Sequence, residues 1–141
     1  MGNRTPLRPT QQPDFSGEYV LNRPAGTLSA AAAGGVVSAS VRIGHPEPHF
    51  RCQFTFVVDG KPFEGACELV TDGREVTHRV RGRLTVSTLL WDGDALVSTD
   101  RSEGTIIFRY ELLDAGHRLQ VTEQIRGTDH DQDNLWIFER R

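Results

Sequence analysis

Residues 50–73 read FRCQFTFVVDGKPFEGACELVTDG, and this stretch decides the fold. Phe50, Cys52, Phe54, Phe56 and Val58 share one parity while Arg51, Gln53 and Thr55 take the other, the period-two pattern of a strand with one buried face. Asp59-Gly60 follows, and Asp-Gly readily takes the left-handed conformations of a two-residue hairpin loop. Closing that loop pairs Phe56 with Phe63, Val57 with Pro62 and Cys52 with Cys67. Pro62, which has no backbone donor, then falls at a non-hydrogen-bonded position. Asp72-Gly73 and Asp92-Gly93 repeat the turn signal, and by analogy the second turn sets Cys67 opposite His78. An antiparallel meander is expected, with Cys52, Cys67 and His78 in one inward row. That row reads as two buried thiols beside a hydrogen-bonded histidine. A soft-metal site or a Cys-His nucleophile would need a third orienting group that the spacing does not supply.

Outward from this centre the alternation continues. Val37, Ala39, Val41 and Ile43 form one face of an earlier strand, and Ile106, Phe108, Tyr110 and Leu112 one face of a later one. Arg79, Arg81 and Arg83 alternate with Val80, Gly82 and Leu84, which reads as the solvated face of a long strand from 79 to 90 bent at Gly82. After a turn at Asp114–His117, Leu119, Val121, Glu123 and Ile125 follow. Glu123 interrupts an apolar row, either as a buried group that orients a ligand or as a solvent-facing residue beyond a bulge. The loop 127–134 offers Asp129, Asp131 and Asp133 but lacks the glycine and terminal glutamate of a calcium-binding loop, so it reads as an exposed hairpin. Leu135-Trp136-Ile137-Phe138 is apolar on both faces, a closing strand with one face in the interior and the other under residues 15–35 or a partner. Within 15–35, Ala30–Ala33 suits a short helix or a simple connector, stopped by Gly34-Gly35.

The length of 141 residues suits one core, burying roughly two-thirds of the extended chain's surface. We expect a flexible leader at 1–14 and a single barrel domain at 15–141. A net charge of -3 gives no general attraction to nucleic acid or an anionic membrane. Residues 1–15 lack the apolar core of a signal peptide, and no segment reaches the length of a bilayer span. A cytoplasmic protein without nucleic-acid partners or membrane insertion is expected.

Four short stretches give the chain a family likeness: Phe15-Ser16-Gly17-Glu18-Tyr19-Val20-Leu21-Asn22, the segment 71–76, the segment 90–96 around Trp91-Asp92-Gly93-Asp94, and Trp136-Ile137-Phe138-Glu139-Arg140. In these the sequence resembles the calycin group, particularly bacterial lipocalin-like and fatty-acid-binding-like barrels. The resemblance implies an all-β, antiparallel up-and-down barrel enclosing a small apolar ligand. The lipocalin Gly-x-Trp start becomes Gly17-Glu18-Tyr19, which keeps an aromatic plug without its indole hydrogen bond. Arg109 resembles the internal arginine that holds a carboxylate in fatty-acid-binding proteins, whereas their terminal Arg-x-Tyr pair becomes Trp136 and Phe138. The resemblance turns Arg109 inward; the alternation of Phe108 and Tyr110 turns it outward.

The leading expectation is noncatalytic binding of a small hydrophobic or aromatic molecule, polyketide-like rather than a fatty acid, with no cofactor and no metal. Phe54, Phe56, Phe108, Tyr110, Trp136 and Phe138 are its candidate walls, and His78, Arg109 and Glu123 its candidate polar contacts. Two other readings stand: a cofactor-independent cyclase or isomerase using His78, Tyr110 or Glu123 as acid or base, and a structural or partner-binding barrel, including a homodimer.

Overall fold

The computed structural model describes residues 12–80, 82–127 and 131–141. Among these the strands are β1 (Gly17–Leu21), β2 (Val36–Gly44), β3 (His49–Val58), β4 (Lys61–Val70), β5 (Val76–Val80), β6 (Arg83–Asp92), β7 (Ala95–Arg101), β8 (Thr105–Leu113), β9 (Arg118–Arg126) and β10 (Gln132–Arg140). A helix, α1 (Ala30–Gly35), joins β1 to β2; the Ser29 hydroxyl caps it by accepting the Ala32 amide at 3.3 Å. The strands form one sheet in the order β4-β3-β2-β1-β10-β9-β8-β7-β6-β5, every recorded pairing antiparallel. β1 bridges β2 and β10, so the sheet wraps into the expected up-and-down barrel. Its two free edges, β4 and β5, are consecutive in the chain and unpaired with each other, which leaves one open seam.

The hairpin at residues 59 and 60 has the expected register, with Cys52 opposite Cys67, Phe56 opposite Phe63 and Val57 opposite Pro62. Asp59 and Gly60 both take positive φ, 52° and 76°, as the right-handed twist of the flanking strands requires. Gly65 lies opposite Phe54, and a Cβ there would stand 2.3 Å from the Phe54 ring. The missing side chain lets that ring lie across β4.

Five expectations need correction. Cys67 and His78 are not ladder partners: after β4 the chain hydrogen-bonds to β6, with Gly73 N–H donating to the Leu89 carbonyl and Asp72 bridging to Leu90. The five residues of that connection swing β5 away, and Gly73, at φ 83° with Leu90 against it, fits only as glycine. The supposed single strand from 79 to 90 is a hairpin that reverses between the paired Val80 and Arg83; Gly82, at φ 79°, turns the chain instead of bending it. The reversal after Trp91 centres on Gly93-Asp94, since Asp92 still pairs with Ala95. Gln132, Asp133 and Asn134 belong to β10 and not to a loop; Asp129 lies outside the described residues. Val37 also leaves its expected row, displaced by an irregularity between Val36 and Ser38.

One end of the barrel is packed solid. Phe15, Tyr19, Leu89, Leu96 and Leu119 are fully buried there, with Phe50 and Ile43 beside them. Tyr19 takes the place of the expected indole and supplies its own hydrogen bond, its hydroxyl donating to the Phe15 carbonyl at 2.7 Å. The same oxygen accepts from Arg140 at 3.0 Å, and the guanidinium lies 5.0 Å from the Tyr19 ring centroid. Arg140 donates further to the carbonyls of Ser16 and Gly116. Nearby, the Phe15 amide donates to His45 Nδ1, which leaves the ring proton on Nε2 facing Glu47. Thr71 and Trp91 donate to the other oxygen of Glu47. Burial opposes ionisation of Glu47, but the hydrogen bonds from Thr71, Trp91 and His45 outweigh it and hold the carboxyl below its ordinary 4.5.

Tyr19→Phe removes one donor and one acceptor from a dry site, which should cost about 1–2 kcal/mol and lower Tm by about 3–8 °C in thermal melts. Glu47 has a folded pKa below its unfolded one, so its contribution is present above the unfolded value and is lost as pH falls through the folded one. Because the Glu47 side chain is 44% exposed, Glu47→Gln should cost only about 1 kcal/mol at pH 7. In denaturant titrations this gap should close as pH drops below 4.5.

Candidate functional site

Register decides which side chains the barrel turns inward. Tyr19 opposite Val41, Val41 opposite Phe54 and Phe54 opposite Gly65 carry the inner face from β1 to β4. On the other side Trp136 stands opposite Val121, Val121 opposite Tyr110, Tyr110 opposite Leu96 and Leu96 opposite Trp91. By this count Phe54, Phe56, Phe108, Tyr110, Glu123, Trp136 and Phe138 all face inward, as does His78 on β5.

Within this inner face packing changes along the barrel axis. Toward the closed end Phe15, Tyr19, Leu96 and Leu119 have no free surface. Toward α1, Phe54, Phe56, Phe108 and Tyr110 rest against the core yet are only half-buried. An inward side chain stays half-buried only where protein leaves the space in front of it unfilled, so these rings border open space on the inner side of the wall. The aromatic rings are arranged in contact: Phe54 to Phe56 at 5.4 Å, Phe56 to Trp136 at 5.8 Å and Phe108 stacked on Tyr110 at 6.2 Å. Leu28, Ala32 and Val36, in and beside α1, pack against the same cluster at the open end. α1 is tied to the wall through Ser29, whose amide donates to Asn134 Oδ1 at 2.7 Å.

A polar band runs through the apolar wall. Glu123 sits between Phe108 and Asn134 in an unbroken ladder, without the bulge that would have turned it to solvent. Its Oε1 accepts from Asn134 Nδ2 and Trp136 Nε1, each at 3.0 Å. Ser98 and Asp100 continue the band on β7, where the Ser98 hydroxyl donates to Asp100 over 3.4 Å. His78 Nε2 meets the Ser87 hydroxyl at 2.7 Å. Burial pushes the Tyr110 phenol well above its ordinary range, reinforced by the fields of Cys52, Cys67, Asp100 and Glu123. Cys52 and Cys67 are free thiols; the neighbouring Cys67 and then burial push the Cys52 thiol well up, which favours the protonated, unreactive form.

Arg109 is the candidate that the structure removes from the interior. Alternation prevails over the family likeness: Arg109 points outward and binds Asp92 at 2.6 Å and Glu111 at 3.2 Å. It borders an open, polar depression of about 780 Å³ outside the closed end, together with Asp14, Gly93 and Arg140. That depression is large but has no aromatic wall, so its volume does not make it the site. The seam between β4 and β5 forms a second cleft, of about 410 Å³, where Cys67 and His78 meet after all, across a gap instead of a ladder.

Asn134 and Asp100 are further inward polar residues that the sequence analysis passed over. Their signal was parity: Asn134 continues Trp136 and Phe138, and Asp100 continues Leu96 and Ser98. Polar residues at strand ends look like loop, which hid both. Among the described residues no three His, Cys, Asp or Glu side chains converge as a metal-binding group.

Neither a protein-family model nor a curated protein matches the chain. Solved structures do. A secretory abundant heat soluble protein from Ramazzottius varieornatus superposes with a TM-score of 0.71 at 14% identity, over 92% of this chain and 98% of that one. Human cRBP IV gives 0.66 at 16% identity, over 92% and 99%. A Schistosoma mansoni fatty acid binding protein in complex with arachidonic acid gives 0.64 at 15%, over 90% and 96%. At such identities the likeness is one of fold: this chain is a calycin-like antiparallel β-barrel.

Proposed function

We propose that the protein binds a small hydrophobic molecule inside the barrel, between the Trp136 and Tyr110 level and α1. The observation that carries this reading is the contrast within a single wall. Leu89, Leu96 and Leu119 are fully buried, whereas Phe108, Tyr110, Phe54 and Phe56 on the same inner face keep free surface. Burying apolar surface that folding leaves uncovered is the available driving force, at about 25 cal/mol per Å². The polar band, chiefly Glu123 and Asn134, would set ligand orientation, as a few placed polar groups do in apolar pockets. Further support comes from the fold neighbours, which include a fatty acid transporter and a fatty acid binding protein holding arachidonic acid.

Titration with the neutral dye Nile red, followed by its fluorescence, tests the reading. Phe108→Ala and Phe54→Ala should each weaken dye binding by about tenfold, equivalent to loss of one wall contact, while the far-UV circular dichroism of the barrel persists. Leu119→Ala, at the solid end, should instead cost about 2–4 kcal/mol of stability and leave the affinity of the folded fraction unchanged. If all three behave alike, with lost stability and unaltered dye affinity, the aromatic residues are core and the cavity assignment fails.

A further inference from the structure

The charge inside the cavity has one sign. Asp100 and Glu123 are carboxylates of inward register, and the field of Asp100 reaches Cys67 across the interior as well as Tyr110. Among the described residues no lysine or arginine meets them there. Arg140 is engaged at the closed end. Lys61 and Arg83 share the inward parity but lie exposed at the rim, where Arg83 pairs with Glu103 at 2.6 Å. Arg109 is outside. His78, also inward, is held by Ser87 beside the seam.

The acids are also incompletely satisfied. Both hydrogen bonds to Glu123 fall on Oε1, leaving Oε2 with no described partner, and Asp100 receives only the long contact from Ser98. An independent observation marks the same place. The Tyr110 hydroxyl makes no hydrogen bond with any other described residue, at a depth where burial governs its ionisation. Yet no side-chain polar atom among the described residues is both sealed off and unpartnered. Its oxygen therefore keeps free surface beside the inner wall, as a group with a vacant position for a ligand.

From this we infer that the cavity selects apolar molecules carrying an amine or other cationic head group, which Glu123 and Asp100 accept with the Tyr110 hydroxyl as a further partner. The inference rests on the proposed binding function and gives it a ligand class. A fatty-acid carboxylate would bring a third negative charge into a low-dielectric space with no cation to receive it. An ammonium would offset one negative charge and donate charge-assisted hydrogen bonds to the carboxylates.

The test is displacement of Nile red by three compounds with the same chain, decylamine, decan-1-ol and decanoate, each below its aggregation concentration. The amine should bind at least about tenfold tighter than the carboxylate, the value of one charge-assisted contact. Glu123→Gln and Asp100→Asn, each verified as folded by circular dichroism, should bring the amine to within about threefold of the alcohol. Having two variants keeps the test valid if one does not fold. A carboxylate that binds as tightly as the amine, or an amine preference that survives both substitutions, overturns the inference while leaving the cavity in place. Failure of all three compounds to displace dye overturns the binding function itself.

Discussion

Arg140 reaches the hydroxyl of Tyr19 and the carbonyls of Ser16 and Gly116, and through those contacts the last strand is locked to the residues before the first. The sheet depends on this closure. β1 spans five residues, yet it is the strand that joins β2 on one side to β10 on the other. A short strand with two antiparallel neighbours holds a barrel closed only if its ends are fixed. Tyr19 fixes one end, its ring buried, its hydroxyl both donor and acceptor, and the guanidinium against its face. The other end is held by the Asn22 amide on the Ile137 carbonyl and by the bridge of Thr27 to Leu135.

Closure at one end leaves freedom at the other. With Phe15, Phe50, Leu89, Leu96 and Leu119 filling the bottom, free surface on the inner wall remains on Phe54, Phe56 and Phe108. Gly65 occupies an inward position there and is covered by the Phe54 ring. The half-buried rings stacked along the wall mark the side that folding leaves uncovered. The seam has a separate origin. The connection between β4 and β5 finds its hydrogen-bond partners on β6, so the two strands that follow one another in the chain never meet along their length.

Alternation of the chain also separates the charges. One parity of β8 carries Phe108 and Tyr110 inward, and the other carries Arg109 and Glu111 outward into a surface ion-pair chain with Asp92. A slip of a single residue would reverse this and set a guanidinium in the cavity. The register is held by the continuous pairing of β8 with β9 and β7, and by the two hydrogen bonds that keep Glu123 against Asn134 and Trp136. The interior polarity that results is acidic, and it follows from register as much as from composition.

Much of this was legible in the order of the residues. The period-two pattern located most of the strands, Asp59-Gly60 set the β3–β4 pairing residue by residue, and the doubly apolar run around Trp136 and Ile137 announced a strand covered on both faces. Those are local properties: parity and turn chemistry act between neighbours a few positions apart. What no local signal carries is which distant groups complete one another. Tyr19 finds a donor in Arg140 and an acceptor in Phe15; Glu123 finds Asn134 across a ladder; Cys67 and His78, expected as ladder partners, face each other across a seam. Arg109 shows the division most plainly, since family likeness and alternation disagreed about it and sequence left the choice open. The sequence by itself determined most of the strands, the β3–β4 turn and the barrel class. The tertiary structure decided where the ring stays open, which end is solid and which charges face inward, because each of these depends on packing and hydrogen bonding between segments that the chain brings together only when the sheet closes.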